Sequence, residues 1–336
     1  MFKIIKYLLI LVMLVAVGGW VFYSYQISAP VGDSTAKVAF EVEQGEGVNQ
    51  ISSKLAKRGL IRSSFWFDVY VWQKNLERNF VAGVYDVPSD SSIRQLVKLL
   101  TSSGNSEQKI TIIEGWNNKE IAAYLEKQGL VQAEYFLNLV GRDLGAYVSQ
   151  YAFLTDKPAS VDLEGYLFPD TYRVFKNSTA QEIIKKMLNN FSQKLTPDLL
   201  QEIKRRDKSL FEIITLASII EKEVRNPDDM RLVADIFYKR LEAGIALQSD
   251  ATVNYLTGSG RAQSTAEDLK IDSPYNTYKY RGLPPGPISN PGLNAIMAAI
   301  YPTPNQYYYF LTTDDGQVIY SKTYDEHLAN KRKYLD

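Results

Sequence analysis

The chain has 336 residues with 38 basic and 38 acidic side chains and one histidine. That length suits about two domains, and the balanced charge argues against a nucleic-acid surface, which needs a basic excess. There is no cysteine, which excludes thiol nucleophiles, disulfides, thiolate zinc sites and iron–sulfur clusters. His327 alone cannot build a multi-histidine zinc site, and no G-x-S-x-G elbow accompanies it to make a Ser-His-Asp triad. No cofactor and no metal is expected.

The N-terminus carries Lys3 and Lys6, and no further formal charge occurs before Asp33. Residues 7–25 are apolar and long enough to cross a hydrocarbon core as a helix. Tyr7 lies at one end of the run, and Trp20, Tyr23 and Tyr25 lie at the other, as interfacial aromatic belts do. Lysines before the run and acids after it place residues 1–25 as a cytoplasmic N-terminus and membrane anchor. The competing reading is a signal peptide cleaved near Ser28-Ala29, although the apolar run exceeds a normal signal core. Either reading puts the body of the protein outside the cytoplasm.

Residues 26–37 read as a polar linker. Residues 38–104 read as a small α+β module. Val38, Phe40 and Val42 alternate with polar positions as a strand does. Val48, Ile51 and Leu55 follow at helical spacing, and Gly59 ends that helix. A helix over 64–74, a strand over 80–87 stopped by Pro88, and a capped helix ending at Gly104 complete the unit. Residues 109–130 repeat the order strand, Glu-Gly turn, helix, Gly-Leu, which suggests two related binding modules.

From 105 to 336 a larger mixed α+β domain is expected. Helices are read over 133–140, 180–194, 197–205, 210–224 and 230–243. Loops follow Gly244. A late hairpin turns across residues 314–316, and a last helix over 324–334 carries His327.

The helix over 210–224 ends in "ASIIEKE". With Leu210 at zero and about 100° per residue, Glu221 falls near 20°, between Ala217 and Ile214 and inside the apolar arc. Glu223 falls near 220° on the polar margin, so the two glutamates cannot flank one bond as a pair. A carboxyl on a buried stripe is expensive unless paired or neutral, and one held protonated can act as a general acid. The alternative is that the helix frays after Ile220 and leaves Glu221 solvated or paired with Arg225. Further candidates sit in turn-rich segments: Glu164 in "DLEGYLFPDTY", Gln248 and Asp250 in a loop reading "LQSDATVNYL", and Asn276 and Tyr278 in the long Pro-rich loop 272–292.

The segments "EGYLFPDTY", "LASIIEKE", "LQSDATVNY", "SPYNTYKYRGLPPGPISNPG" and "YYYFL" resemble, in order, the YceG-like (MltG) family of membrane-anchored endolytic murein transglycosylases. The resemblance implies a LysM-like first module and a catalytic domain over 105–336. It also implies cleavage within peptidoglycan glycan strands to leave 1,6-anhydro-N-acetylmuramic acid ends. The family's catalytic glutamate falls on Glu221, and Gln248, Asp250, Asn276, Tyr278 and Glu164 become substrate-binding candidates. Implied partners are peptidoglycan strands, the cell membrane and peptidoglycan synthases. Ser249 and Ala251 stand where the family often has Thr and Pro. A non-catalytic cell-wall binder remains open, as does a hydrolase using Glu164 or Asp250 as a second acid.

Overall fold

The computed structural model describes residues 2–32, 37–43, 45–101, 107–141, 144–176, 178–261, 263–313 and 315–335. By internal contacts the chain divides into two compact units, Met1–Gln108 with Arg173–Asn177, and Lys109–Tyr172 with Ser178–Asp336.

The first unit begins with α1, Phe2–Ser28. Its segment Ile10–Ser28 is 19 residues long, largely exposed, and apolar enough to cross a membrane. The helix continues past residue 25, where a linker is expected. Ile27 is only 2 % exposed because it seats in the core of the module that follows. Residues 33–36 of the expected linker lie outside the described residues.

That module comprises β1 (Lys37–Val42), α2 (Val48–Lys57), α3 (Ser64–Gln73), β2 (Gly83–Pro88) and α4 (Ile93–Thr101). The strands pair antiparallel, from Lys37 opposite Pro88 to Val42 opposite Gly83. Period-two alternation turns Phe40, Val42, Tyr85 and Val87 to one face. They meet Ile51 and Leu55 of α2, Phe67 and Val71 of α3, and Leu96, Val97 and Leu100 of α4. Gly59 takes a left-handed φ of 69° just past α2, where a side chain would be strained.

The rest comprises β3 (Glu107–Thr111), α5 (Asn118–Lys127), α6 (Ala133–Gly141), α7 (Gly145–Gln150), β4 (Thr171–Phe175), α8 (Ala180–Lys194) and α9 (Pro197–Arg205). Then come α10 (Leu210–Glu223), α11 (Pro227–Glu242), α12 (Asp250–Thr257), α13 (Leu293–Ile300), β5 (Tyr309–Thr312), β6 (Val318–Ser321) and α14 (Tyr324–Tyr334). β3 pairs with β4. β5 and β6 form the expected hairpin, Tyr309 opposite Ser321. Three helices were not expected, the six-residue α7 and two that follow α11. α12 occupies the segment read as a loop around Asp250, and α13 follows the Pro-rich loop. Each of these two is eight residues long, too short for a helical period to stand out.

α10 is the spine of the second unit. Ser209 caps it: Ser209 Oγ accepts from Glu212 N at 3.1 Å, and Glu212 Oε2 accepts from Ser209 N at 2.8 Å. Such a capping box contributes about 1 kcal/mol. Residues from Ile213 to Ile220 are buried on every side, against α13, α11, α12 and α9. This is why the sequence there reads as an almost unbroken apolar run. Loop 272–292 lies along the helix. Ile288 N donates to Ser218 Oγ at 3.0 Å, and Ser289 Oγ donates to Ser218 O at 3.0 Å. Gly165 fits beneath: with φ 87°, a Cβ there would lie 2.7 Å from both Ile214 and Pro287.

Candidate active site

α10 does not fray after Ile220. It continues to Glu223, and Val224 turns extended. This holds the half-buried Glu221 on the last helical turn, against the end of loop 272–292. The backbone N–H of Gly292 donates to Glu221 Oε2 at 2.9 Å. Among the described residues Oε1 has no partner, so it is the oxygen available to a ligand. Gly115, at φ 80°, packs on the other side, where a Cβ would lie 3.4 Å from Glu221 Cγ.

Burial is the main influence on this carboxyl and raises it from 4.5 to about 7. The Gly292 N–H opposes that rise, the charge of Glu114 adds to it, and Lys222 opposes it weakly. Lys222 turns away and donates to Gly115 O at 3.3 Å. Arg225 is exposed, and the charged groups acting on Glu221 are Glu114 and Lys222, so the expected Arg225 pair is not what sets its state.

Glu114 is a residue that sequence reasoning passed over. It follows β3 in the "EGW" turn and lies against Gly292, where a Cβ would come within 2.1 Å of Glu114 Oε1. A side chain at 292 would force the Glu114 carboxyl to move away from its place beside Glu221. The available signal was the Glu-Gly pair of the repeated strand–turn–helix, which looks structural in isolation.

Glu223 also departs from expectation. The helical wheel puts it on a polar margin, but the structure encloses its carboxyl beneath the turn that starts α12. Ser249 Oγ donates to Glu223 Oε1. Burial lifts Glu223 to about 7; the Ser249 hydroxyl lowers it, Asp250 raises it and Arg240 lowers it. A helical wheel cannot know what covers each face.

The other candidates separate into two groups. Gln248, Asp250 and Tyr278 gather around Glu223. Gln248 is exposed, adopts φ 52°, and accepts from Arg240 Nη2 at 2.7 Å. Non-glycine residues rarely hold that backbone without a compensating need. Asp250 opens α12 and accepts from Ser264 N at 3.0 Å. The Tyr278 phenol donates to Asp250 and is raised by burial.

Asn276 and Glu164 are buried and have their polar atoms bonded within the protein. Buried Asn276 donates to Leu269 O and Ile271 O at 3.0 and 2.9 Å and accepts from Tyr278 N at 3.1 Å, so its amide braces its own loop. Glu164 is 3 % exposed. Its two oxygens accept from Asn118 N at 3.0 and 3.1 Å, and Oε1 also accepts from Asn290 Nδ2 at 3.0 Å. Burial pushes it well above the ordinary range. Its burial and these bonds make it a brace between the 117–118 and 290 segments.

Asn290 was not foreseen either, and it ties the floor together. Its Oδ1 accepts from Leu167 N at 2.9 Å, its Nδ2 donates to Trp116 O at 3.0 Å, and its carbonyl accepts from Gly115 N at 2.9 Å. One buried side chain thus fixes the 115–116 turn and the 164–167 turn, two residues before Gly292. His327 stacks on Tyr309 with ring centroids 5.5 Å apart. Burial lowers it first, with Lys331 and Arg240 adding to the effect. Among the described residues no His, Asp or Glu cluster could hold a metal.

The arrangement offers one acid with a free oxygen, raised toward neutrality and held by a backbone donor, beside a second carboxylate. The YceG-like family model matches residues 40–333. An endolytic murein transglycosylase of Bacillus subtilis (strain 168) is 34 % identical over 330 residues, covering 95 % of this chain and 91 % of that one. An endolytic murein transglycosylase of Streptococcus pneumoniae (serotype 2, strain D39) is 31 % identical over 99 % of this chain, which spans 65 % of the longer pneumococcal protein. A crystal structure of a yceG-like protein from Listeria monocytogenes superposes with a TM-score of 0.61 at 33 % identity, over 89 % of this chain and all of that one. The chain belongs to the YceG-like family.

Proposed function

We propose that this protein is an endolytic peptidoglycan lytic transglycosylase in which Glu221 is the single acid and base. The reaction cleaves the bond between N-acetylmuramic acid and N-acetylglucosamine. Glu221 gives its proton to the glycosidic oxygen as the bond to the muramoyl C1 breaks, releasing the N-acetylglucosamine end as an alcohol. The muramoyl C6 hydroxyl then attacks C1, and the Glu221 carboxylate takes that hydroxyl's proton. The acid is restored, the product ends in a 1,6-anhydro ring, and no water is consumed. Because the nucleophile belongs to the substrate, proximity replaces a second catalytic carboxylate.

The observation that carries this reading is the state of Glu221. A carboxyl near 7 can lose and regain a proton at neutral pH, which both halves of the reaction require. The Gly292 N–H holds Oε2, and Oε1 is the oxygen that would meet the substrate. Gln248, Asp250 and Tyr278 are the groups that would contact sugar or peptide. Residues 38–104 act as a LysM-like glycan-binding module on the anchor 1–25, with residues 105–336 as the catalytic domain. The N-terminus is cytoplasmic and the rest extracytoplasmic, at the cell membrane near peptidoglycan synthases.

Purified protein incubated with sacculi should release soluble anhydro-muropeptides, and Glu221→Gln should release none while still binding the glycan. Products heavier by one water would indicate a hydrolase, with Glu114 as the acid to suspect. Binding without release by the wild type would indicate a non-catalytic binder.

A further inference from the structure

α3 is apolar around its whole circumference. Its sequence is SFWFDVYVWQ, with Asp68 as the one formal charge. Phe67 and Val71 are buried in the module core. Trp66 faces α1, with ring centroids 5.8 Å from both Phe22 and Tyr23, and the Tyr23 hydroxyl donates to Gln73. The remaining stripe is uncovered: Phe65 is 61 % and Trp72 71 % exposed. They lie seven residues apart, on one side of the helix and about 130° from the core-facing pair. A helix apolar on every side is normally buried or in contact with lipid.

Its position suggests which. α1 enters the module without a spacer, since Ile27 on its last turn is sealed in the module core. The exposed stripe of α3 therefore sits beside the place where α1 leaves its apolar stretch. Trp20 and Tyr25 of α1 are exposed at the same end. Two cations flank that exit. The Arg62 guanidinium lies 5.4 Å from the Tyr25 ring and donates to Pro30 O at 2.8 Å, and exposed Arg94 is within electrostatic reach of Tyr23. Tryptophan and tyrosine with nearby arginine are the side chains that settle at the headgroup level of a bilayer.

We infer that α3 lies on the lipid–water interface of the bilayer that α1 enters, with Phe65 and Trp72 inserted among the headgroups. α1 then does not act as a loose tether. The first module is held flat on the membrane, and only a fixed layer of space above the bilayer is open to the glycan it meets. This inference rests on α1 spanning the membrane.

The absence of cysteine makes a clean experiment possible. Single variants Phe65→Cys, Trp72→Cys, Ser53→Cys and Val15→Cys of the full chain are labelled with a nitroxide and reconstituted in phosphatidylethanolamine–phosphatidylglycerol vesicles. Spin relaxation then compares access to oxygen, which concentrates in lipid, with access to a water-soluble nickel chelate. Ser53 is exposed on α2 and reports water. Val15 reports whether α1 is inserted. The expected result is an oxygen-to-nickel ratio several-fold higher at 65 and 72 than at 53, with 15 highest. Labels at 65 and 72 that match Ser53 while Val15 is deep would overturn the interfacial placement alone. Protection from both reagents at 65 and 72, persisting in detergent, would mean that a second copy covers the stripe and would also overturn it. A water-exposed Val15 would remove the anchor, and the inference with it.

Discussion

Replacing Glu221 by Gln should stabilise the protein at alkaline pH while abolishing its chemistry. The carboxyl titrates near 7 in the folded chain and at its ordinary 4.5 when unfolded. Between those values the folded state holds the proton that the unfolded state has lost. Stability therefore falls as pH rises through this window, and the cost is complete above about 7. At 1.36 kcal/mol per pH unit the full penalty is roughly 3 kcal/mol. Glutamine cannot ionise, has nearly the same shape, and its amide oxygen can still accept from Gly292 N–H. At pH 8 the variant should exceed the wild type by up to about 3 kcal/mol, a gain of about 2–4 °C per kcal/mol for a unit of this size. Below pH 4.5 the two should coincide. Glu223 titrates in both proteins and cancels in the difference. The assay is thermal unfolding of full chains in detergent micelles across pH 4 to 9. An offset of the same size at every pH would refute the reasoning, because it would mean that Glu221 is not strained by ionisation in the folded state.

Three further outcomes can be checked. The kcat/KM for glycan cleavage should fall about tenfold per pH unit above about 7, as the essential acid of the free enzyme is lost. Glu114→Gln removes a like charge and should move that falling limb to lower pH; an unmoved limb would show that the two carboxyls do not interact. Gly165→Ala forces a side chain into a left-handed backbone and 2.7 Å contacts with Ile214 and Pro287. It should cost about 2–4 kcal/mol, measured by chemical denaturation.

Local pattern carried much of the architecture. The apolar N-terminal run, the alternation around Phe40 and the late hairpin were all legible, because each depends on the period of its own few residues. So was the placement of Glu221 on a buried stripe, since α10 is long and strongly apolar. α12 and α13 were missed because eight residues show too little of a period. The bonds that occupy the Asn276 amide were not legible, because they come from residues 269 and 271, which sequence reading leaves as unshaped loop.

The residues that make Glu221 unusual come from far along the chain. Glu114 is 107 positions before it and Gly292 is 71 positions after it. Nothing in either short segment marks it as a neighbour of α10. By itself the sequence determined that a carboxyl would sit at the apolar end of a helix, because helical geometry alone sets that. Its pKa, its one bonded oxygen, its companion carboxylate and the enclosure of Glu223 were decided by tertiary structure alone. Desolvation and charge proximity depend on which distant segments close over a side chain, and no local period encodes that.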